Sequence, residues 1–114
     1  MHPTLKHAFE SEMAAARQHY EAGAFDRAFR SFERAHILGQ RNTLPHVRSH
    51  VWMLRVGLRR RDLREIFGQT TRIAAAALFS QLWVPEGNTG GADVSPLRPM
   101  PVPADLRAIL DAAR

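Results

Sequence analysis

Three of the six histidines, His36, His46 and His50, lie close together in the sequence. His46 and His50 are four residues apart, so on a helix their rings leave the same face about one turn apart. Imidazole nitrogens suit Zn²⁺, Ni²⁺, Cu²⁺ or Fe²⁺, whereas Mg²⁺ and Ca²⁺ prefer oxygen ligands. A short turn at residues 39–43 could place His36 opposite the pair. The pattern therefore predicts a transition-metal site between two neighbouring helices.

Two carboxylates are candidate further ligands of this metal site. Glu33 lies one turn before His36, and Glu65 lies on a later predicted helix, with Gln69 as a candidate polar partner just outside the set of ligands. Met53 follows His50 by three residues, and its thioether would favour Cu(I). The same histidines are also compatible with a buried polar network without metal, or with no joint role. All three interpretations stay open at the level of sequence.

No enzyme signature accompanies these residues, so we expect a non-enzymatic protein. The chain has no cysteine, which excludes thiolate ligands and cysteine nucleophiles. The zinc-protease signature requires glutamate directly after its first histidine, but Val47 follows His46. The stretch GNTGG at Gly87–Gly91 lacks the Lys–Ser/Thr of a P-loop, and a tight turn is favoured there over an anion-binding nest.

Helical periodicity predicts the elements that carry the candidate ligands. The first helix is predicted from Thr4 to Glu21 or Ala22, with Gly23 as its stop, and the second from Phe25 to Gly39. Together they resemble a tetratricopeptide-type hairpin, in which small residues allow close helix packing and aromatic residues fill the groove. The residues that match are Tyr20, Gly23, Phe25, Asp26, Ala28, Phe32 and Ala35.

A third and a fourth helix are predicted to form a second hairpin stacked on the first. Thr43 is the expected N-cap of the third helix and Asp62 that of the fourth, which ends near Ser80. The expected core-facing residues are Val47, Val51, Leu54 and Leu58 on the third helix and Leu63, Ile66, Phe67, Thr70, Ala74 and Ala77 on the fourth. A separate stripe is expected to face solvent and consists of Arg48, Trp52, Arg55 and Arg59.

The remainder of the chain is rich in proline and glycine and ends in a short predicted helix. We expect one domain over residues 1–114, with a four-helix body at 1–83, a loop at 84–102 and a C-terminal helix at 103–114. A loop of this length is either functional or packed across the body as a strap. The sequence thus predicts an all-α fold of two antiparallel hairpins, a strap and a short helix.

Charge and hydropathy limit the expected partners. The net charge of +5 is concentrated in residues 40–72, which hold eight arginines and two acidic residues. A solvated face is favoured over nucleic-acid binding there, because no known nucleic-acid-binding module is visible. The N-terminal stretch has no apolar signal region, and no apolar run approaches the roughly 20 residues that span a bilayer. We therefore expect a cytoplasmic protein without membrane contact.

Four segments together resemble a small bacterial domain family of unknown function. They are ERAHILGQ (33–40), HVRSHVWML (46–54), REIFGQ (64–69) and PEGNTGGADVS (85–95). The resemblance implies no established activity, but it adds weight to the candidate ligands Glu33, His36, His46, His50 and Glu65 acting together. We expect a metal-binding protein of this family. The alternative is a helical adaptor that binds a protein partner or a second copy of itself without metal.

Overall fold

The chain folds into helices joined by turns and one long connection. The computed structural model describes the whole chain, residues 1–114. Its five helices are α1 (Pro3–Glu21), α2 (Phe25–Gly39), α3 (Thr43–Arg60), α4 (Leu63–Phe79) and α5 (Ala104–Ala112), and it contains no strand. This confirms the predicted all-α fold. None of the five helices has both the length and the apolar character that crossing a membrane requires.

Neighbouring helices pack in the order of the chain. α1 packs on α2, α2 on α3 and α3 on α4, as in a stack of helical hairpins, while α5 covers α1 and α2. Gly23 forms the turn between α1 and α2 with a φ of 76°, a conformation that favours glycine. Asp62 caps α4 as predicted, because its carboxylate accepts a hydrogen bond from the Glu65 amide at 3.1 Å.

The main core lies between the first three helices and α5. Its large, fully buried side chains are Phe9, Met13, Phe32, Leu38, Met53 and Leu106. Gly39 lets the end of α2 approach α3, since a Cβ there would lie 2.9 Å from the Cβ of Pro45. Gly57 similarly lets α3 approach α4, where a Cβ would lie 3.1 Å from the Cβ of Glu65. These close contacts fix the three helices that carry the candidate ligands.

The predicted core-facing stripe of α3 is wrong. Val51 and Leu58 are 38% and 54% exposed, while Val47 and Leu54 are only partly buried. The buried side of α3 instead consists of His46, Ser49, His50, Met53, Val56 and Gly57. Apolar periodicity pointed to the wrong side of the helix because half of the residues that face inward are polar.

The predicted inner face of α4 is also wrong. Leu63 and Phe67 are 79% and 75% exposed, and the two buried residues of this helix are Gln69 and Ala76. Thr70, Ala74 and Ala77 are likewise exposed, and Ile66 is partly buried. α3 and α4 therefore both expose apolar side chains. These residues, called here the outer face, are Leu44, Val51, Leu58, Leu63, Phe67 and Leu78.

Trp52 packs against the body of the protein, in contrast to its predicted solvent-facing position. Its ring stacks on Phe32 and meets Tyr20 edge-on, each at a centroid distance of 5.4 Å. The guanidinium of Arg55 lies over the Trp52 ring at 4.1 Å, and Arg48 donates to Glu10 of α1 at 2.5 Å. The arginine stripe is therefore engaged in contacts within the molecule.

Residues 84–102 pack across the body, and we call this segment the strap. The side chain of Gln40, just after α2, bonds to the Pro85 carbonyl at 3.0 Å and the Gly87 amide at 3.1 Å. On α4, Glu65 accepts from the Ala92 amide at 2.9 Å, and Arg72 donates to the Val94 carbonyl at 3.0 Å. The strap thereby links α4 to the end of α2, with the candidate ligands between them.

Candidate metal centre

The three histidines meet between α2 and α3. His36 lies near the end of α2, and His46 and His50 lie on the buried side of α3. Their Nε2 atoms are separated by 3.0 Å (His36–His46), 3.1 Å (His36–His50) and 3.2 Å (His46–His50). All three side chains are buried. The predicted convergence of the imidazoles is confirmed, and their ring nitrogens are close enough to share one metal ion.

Two of the Nδ1 atoms face groups that can only accept a hydrogen bond from them. His36 Nδ1 lies 2.8 Å from the Asn88 carbonyl oxygen of the strap, which has no proton to donate. His46 Nδ1 lies 2.7 Å from the Ser80 hydroxyl at the end of α4. Ser80 donates its single proton to the Ala76 carbonyl, so it must accept from His46. Both histidines therefore carry their proton on Nδ1.

His50 is held in the same tautomer by Gln69 of α4. The Gln69 side-chain oxygen lies 2.6 Å from His50 Nδ1. The amide nitrogen fixes the orientation of this side chain, because Gln69 Nε2 donates to Glu65 at 3.0 Å and to the Gly90 carbonyl at 2.8 Å. Gln69 therefore presents its oxygen to His50 and accepts the Nδ1 proton. All three Nε2 atoms, in neutral rings, bear a lone pair and no proton.

Burial keeps these rings neutral. It lowers the pKa of His46 to about 4, and it lowers the pKa of His50 to about 3 with a further contribution from the neighbouring charge of His46. Burial, followed by the charges of His50 and His46, also lowers the pKa of His36 well below its ordinary value. Three lone pairs about 3 Å apart repel one another, and a cation between them turns that repulsion into attraction.

The remaining candidate ligands lie outside this trio. Glu65 is connected to His50 through Gln69, and its other oxygen accepts from the Ala92 amide. Glu33 is partly buried on α2 and takes no part in the group of nitrogens. The sulfur of Met53 lies 3.7 Å from the Gln69 amide nitrogen, on the Nδ1 side of His50. The structure thus brings together the histidines with Gln69 behind them, while the carboxylates lie further away.

A cavity of about 330 Å³ opens beside the three histidines. Its apolar wall includes Phe79, Leu82, Trp83, Val84, Pro96 and Leu97. Arg72 of α4 also lines it and has a buried Nε that makes no hydrogen bond. A ligand in this cavity would therefore lie next to all three histidines.

A family model described as "Protein of unknown function (DUF3703)" matches residues 3–110. The chain belongs to this family. The resemblance to a small domain family of unknown function is thereby confirmed. No curated protein and no solved structure matches the chain. Membership of the DUF3703 family carries no activity with it, so function has to be inferred from the geometry of the site.

Ser80, Asn88 and Arg72 are site residues that sequence reasoning missed. Ser80 stands at the predicted end of the fourth helix, and Asn88 lies within the stretch GNTGG, so each was visible only as a helix end or a turn residue. Asn88 is 52 positions from His36, and no periodic pattern reports such a contact. Gln69 was predicted as a polar partner on α4, and the structure places it against His50.

Replacing Gly90 by alanine should disturb the contact between the strap and His36. A Cβ at Gly90, where φ is +83°, would lie 2.7 Å from ring atoms of His36. We expect the free energy of unfolding to fall by about 2–4 kcal/mol, from backbone strain and steric overlap together. Gly23→Ala is the matched control, because its φ is +76° but nothing lies within 4 Å. Stability is measured by urea denaturation. Equal losses in the free energy of unfolding for Gly90→Ala and Gly23→Ala would contradict this packing.

Removing the carboxyl of Glu33 should flatten the dependence of stability on pH. Burial, then the charges of Asp93 and Glu65, raise the pKa of Glu33 to about 7, although the Thr89 side chain and the charge of Arg30 oppose this. Because the folded state binds the proton more tightly, stability falls as pH rises from about 4.5 to about 7. We expect the free energy of unfolding of Glu33→Gln to be about 1–3 kcal/mol higher than that of the parent protein at pH 8. At pH 4 the two values should be equal.

This comparison is made by urea denaturation of chelator-treated protein across that pH range. Glu21→Gln serves as the control, because it removes an exposed carboxylate at the end of α1. If the stability of Glu33→Gln fell with pH as steeply as that of the parent protein, the raised pKa of Glu33 would be contradicted.

Proposed function

We propose that this protein binds one divalent transition-metal ion through the Nε2 atoms of His36, His46 and His50. The observation that supports it is the mutual spacing of 3.0–3.2 Å between three buried, unprotonated nitrogens. An ion at the usual ~2.0–2.1 Å from each nitrogen would make N–metal–N angles of roughly 90–105°, which span the range from octahedral towards tetrahedral coordination. The trio therefore has the size of one face of a metal coordination sphere.

The hydrogen bonds behind the histidines favour a metal over a polar network without one. Histidine ligands of metals donate their second ring proton to a carbonyl, carboxylate or similar acceptor, which orients the ring. Asn88, Ser80 and Gln69 provide such acceptors for all three rings. A polar network would instead need a proton on one Nε2, and burial disfavours the charged imidazolium that this proton creates.

The donor set narrows the choice of ion to the metals expected from the sequence. Neutral imidazoles suit Zn²⁺, Ni²⁺, Cu²⁺ and Fe²⁺, and the trio offers no oxygen ligand for Mg²⁺ or Ca²⁺. The sulfur of Met53 contacts the Gln69 amide nitrogen at 3.7 Å, and the proposed ligands are the three imidazoles alone. Three protein ligands leave at least one coordination position for a further ligand.

Metal analysis of untagged protein tests this proposal. The protein is stripped with a chelator, dialysed against each of Zn²⁺, Ni²⁺, Cu²⁺ and Fe²⁺ in turn, under anaerobic conditions for iron, and analysed by mass spectrometry. We expect one tightly bound ion per chain, and a loss of at least tenfold in affinity for His46→Gln and for His50→Gln. His7→Gln removes an exposed histidine of α1 and should retain the ion, as should Glu33→Gln.

A further variant separates metal binding from folding. Ser80→Ala keeps all three ligands but removes the acceptor for His46 Nδ1, and we expect an affinity about tenfold weaker at unchanged stoichiometry. Circular dichroism establishes that each variant retains its helices. Absence of stoichiometric metal in the parent protein, or full retention by both folded histidine variants, would refute the proposal.

A second candidate function is self-association through the outer face of α3 and α4. Leu63 and Phe67 are 79% and 75% exposed, and burying such side chains against a partner is favourable. Homodimer interfaces are more apolar than interfaces between different proteins, which suits these exposed apolar side chains. We therefore propose a second copy of the chain as its occupant, with the two copies related by a twofold axis.

Sedimentation equilibrium at several protein concentrations tests this second candidate. We expect a dimer in the parent protein and a monomer with unchanged helix content in Phe67→Asp. Arg27→Asp changes an exposed residue of α2 away from this face and should leave the dimer intact. A parent protein that stays monomeric at high micromolar concentration, or a Phe67→Asp variant that still dimerises, would overturn this second candidate. A monomeric Phe67→Asp variant that still binds metal would show that the two functions are separate.

A further inference from the structure

We propose that the cavity beside the histidines binds a small monocarboxylate with an apolar body, whose carboxylate lies between the metal ion and Arg72. This inference rests on the proposed metal site and identifies the chemical class of its exchangeable ligand. The structural basis is a single cavity that the three histidines, Arg72 and a continuous apolar wall line together.

The charge of the site calls for an anion. Three neutral imidazoles leave a divalent ion with its full charge of 2+, and Arg72 adds a further positive charge at the same cavity. No carboxylate belongs to the trio, and both oxygens of Glu65 already accept hydrogen bonds, from Gln69 and from the Ala92 amide. Glu65 and Asp93 lie close enough to Arg72 to offset part of its charge, but the trio gives the ion no anionic ligand, so an anion is favoured at the open position.

Arg72 has unused capacity to hold such an anion. Its Nη2 donates to the Val94 carbonyl and its Nε is enclosed by protein, while its Nη1 makes no hydrogen bond within the molecule. Nη1 is therefore the guanidinium nitrogen that is free to bind an anion. Guanidinium groups bind carboxylates through paired, charge-assisted hydrogen bonds. Arg72 therefore supplies a second contact for a carboxylate that coordinates the metal.

The wall of the cavity selects the body of the ligand. Phe79, Leu82, Trp83, Val84 and Leu97 give it an apolar surface, and no acidic side chain lines it. The polar groups of Gln40, Ser80 and Asn88 at the cavity already make hydrogen bonds within the protein. A volume of about 330 Å³ lies at the small end of the range for ligand sites, roughly 300–1,000 Å³. A short alkyl or aryl carboxylate fits both size and polarity.

Optical titration of untagged, Co²⁺-loaded protein tests the inference, because visible absorption of Co²⁺ reports on its ligands. Acetate, butyrate and hexanoate are the probes. We expect saturable spectral changes whose affinity rises about three- to fourfold for each added methylene. Butyramide, which matches butyrate in size but lacks its charge, should give no saturable change, and inorganic phosphate should bind more weakly than hexanoate.

Arg72→Gln supplies the decisive variant. We expect it to weaken hexanoate binding by about tenfold or more while Co²⁺ stoichiometry stays unchanged. Arg64→Gln alters an exposed arginine of the same helix and should bind hexanoate as the parent protein does. The inference would be overturned if protein with stoichiometric Co²⁺ gave no response to hexanoate, or if butyramide bound as well as butyrate. It would also be overturned if phosphate bound more tightly than hexanoate, or if Arg72→Gln bound hexanoate as the parent protein does. A protein that takes up no Co²⁺, Zn²⁺ or other tested ion would instead refute the metal proposal on which it rests.

Discussion

Three imidazole Nε2 atoms held 3.0–3.2 Å apart are the constraint on which the rest of the structure depends. The acceptors behind His36, His46 and His50 come from the strap and from α4, and each leaves Nδ1 as the protonated nitrogen. Burial prevents the rings from relieving their repulsion by taking up a proton. The surrounding structure therefore holds an arrangement that is unfavourable by itself and becomes favourable around a positive ion.

The fold makes this arrangement from segments distant in sequence. α2 and α3 are joined by a short turn and supply the ligands, whereas α4 packs on α3 alone among the helices and supplies acceptors. The strap closes the site by bonding to Gln40 after α2 and to Glu65 on α4. An ion bound by the trio would join α2 to α3 directly and would connect both to α4 and the strap through the acceptors, so binding would stabilise the folded state.

The sequence predicted the helices and the histidine trio because both depend on local spacing. Hairpin bounds follow from glycine stops and the Asp62 cap, and the separation of His46 and His50 places them on one face of any helix. It failed on the orientation of α3 and α4, where Val51, Leu58 and Phe67 are exposed. Periodicity identifies an apolar stripe, but it does not identify the side that faces the core when the true inner side contains His46, His50 and Gln69. The contacts of Asn88 and Ser80 arise only from tertiary folding.

The number of protein ligands bears on what a metal ion would do here. Structural zinc sites are usually closed by four protein ligands, whereas sites that exchange a ligand keep a position open. The trio provides three nitrogens and no further protein ligand, and the three histidines line a cavity with room for an exchangeable ligand. The main core is formed elsewhere, by Phe9, Phe32 and Leu38, so an ion is not needed to replace missing apolar packing. Apart from the histidines, Arg72 is the single titratable residue that lines the cavity, and its charge is suited to holding an anion. A ligand-exchanging metal site therefore accounts for this geometry better than a purely structural one.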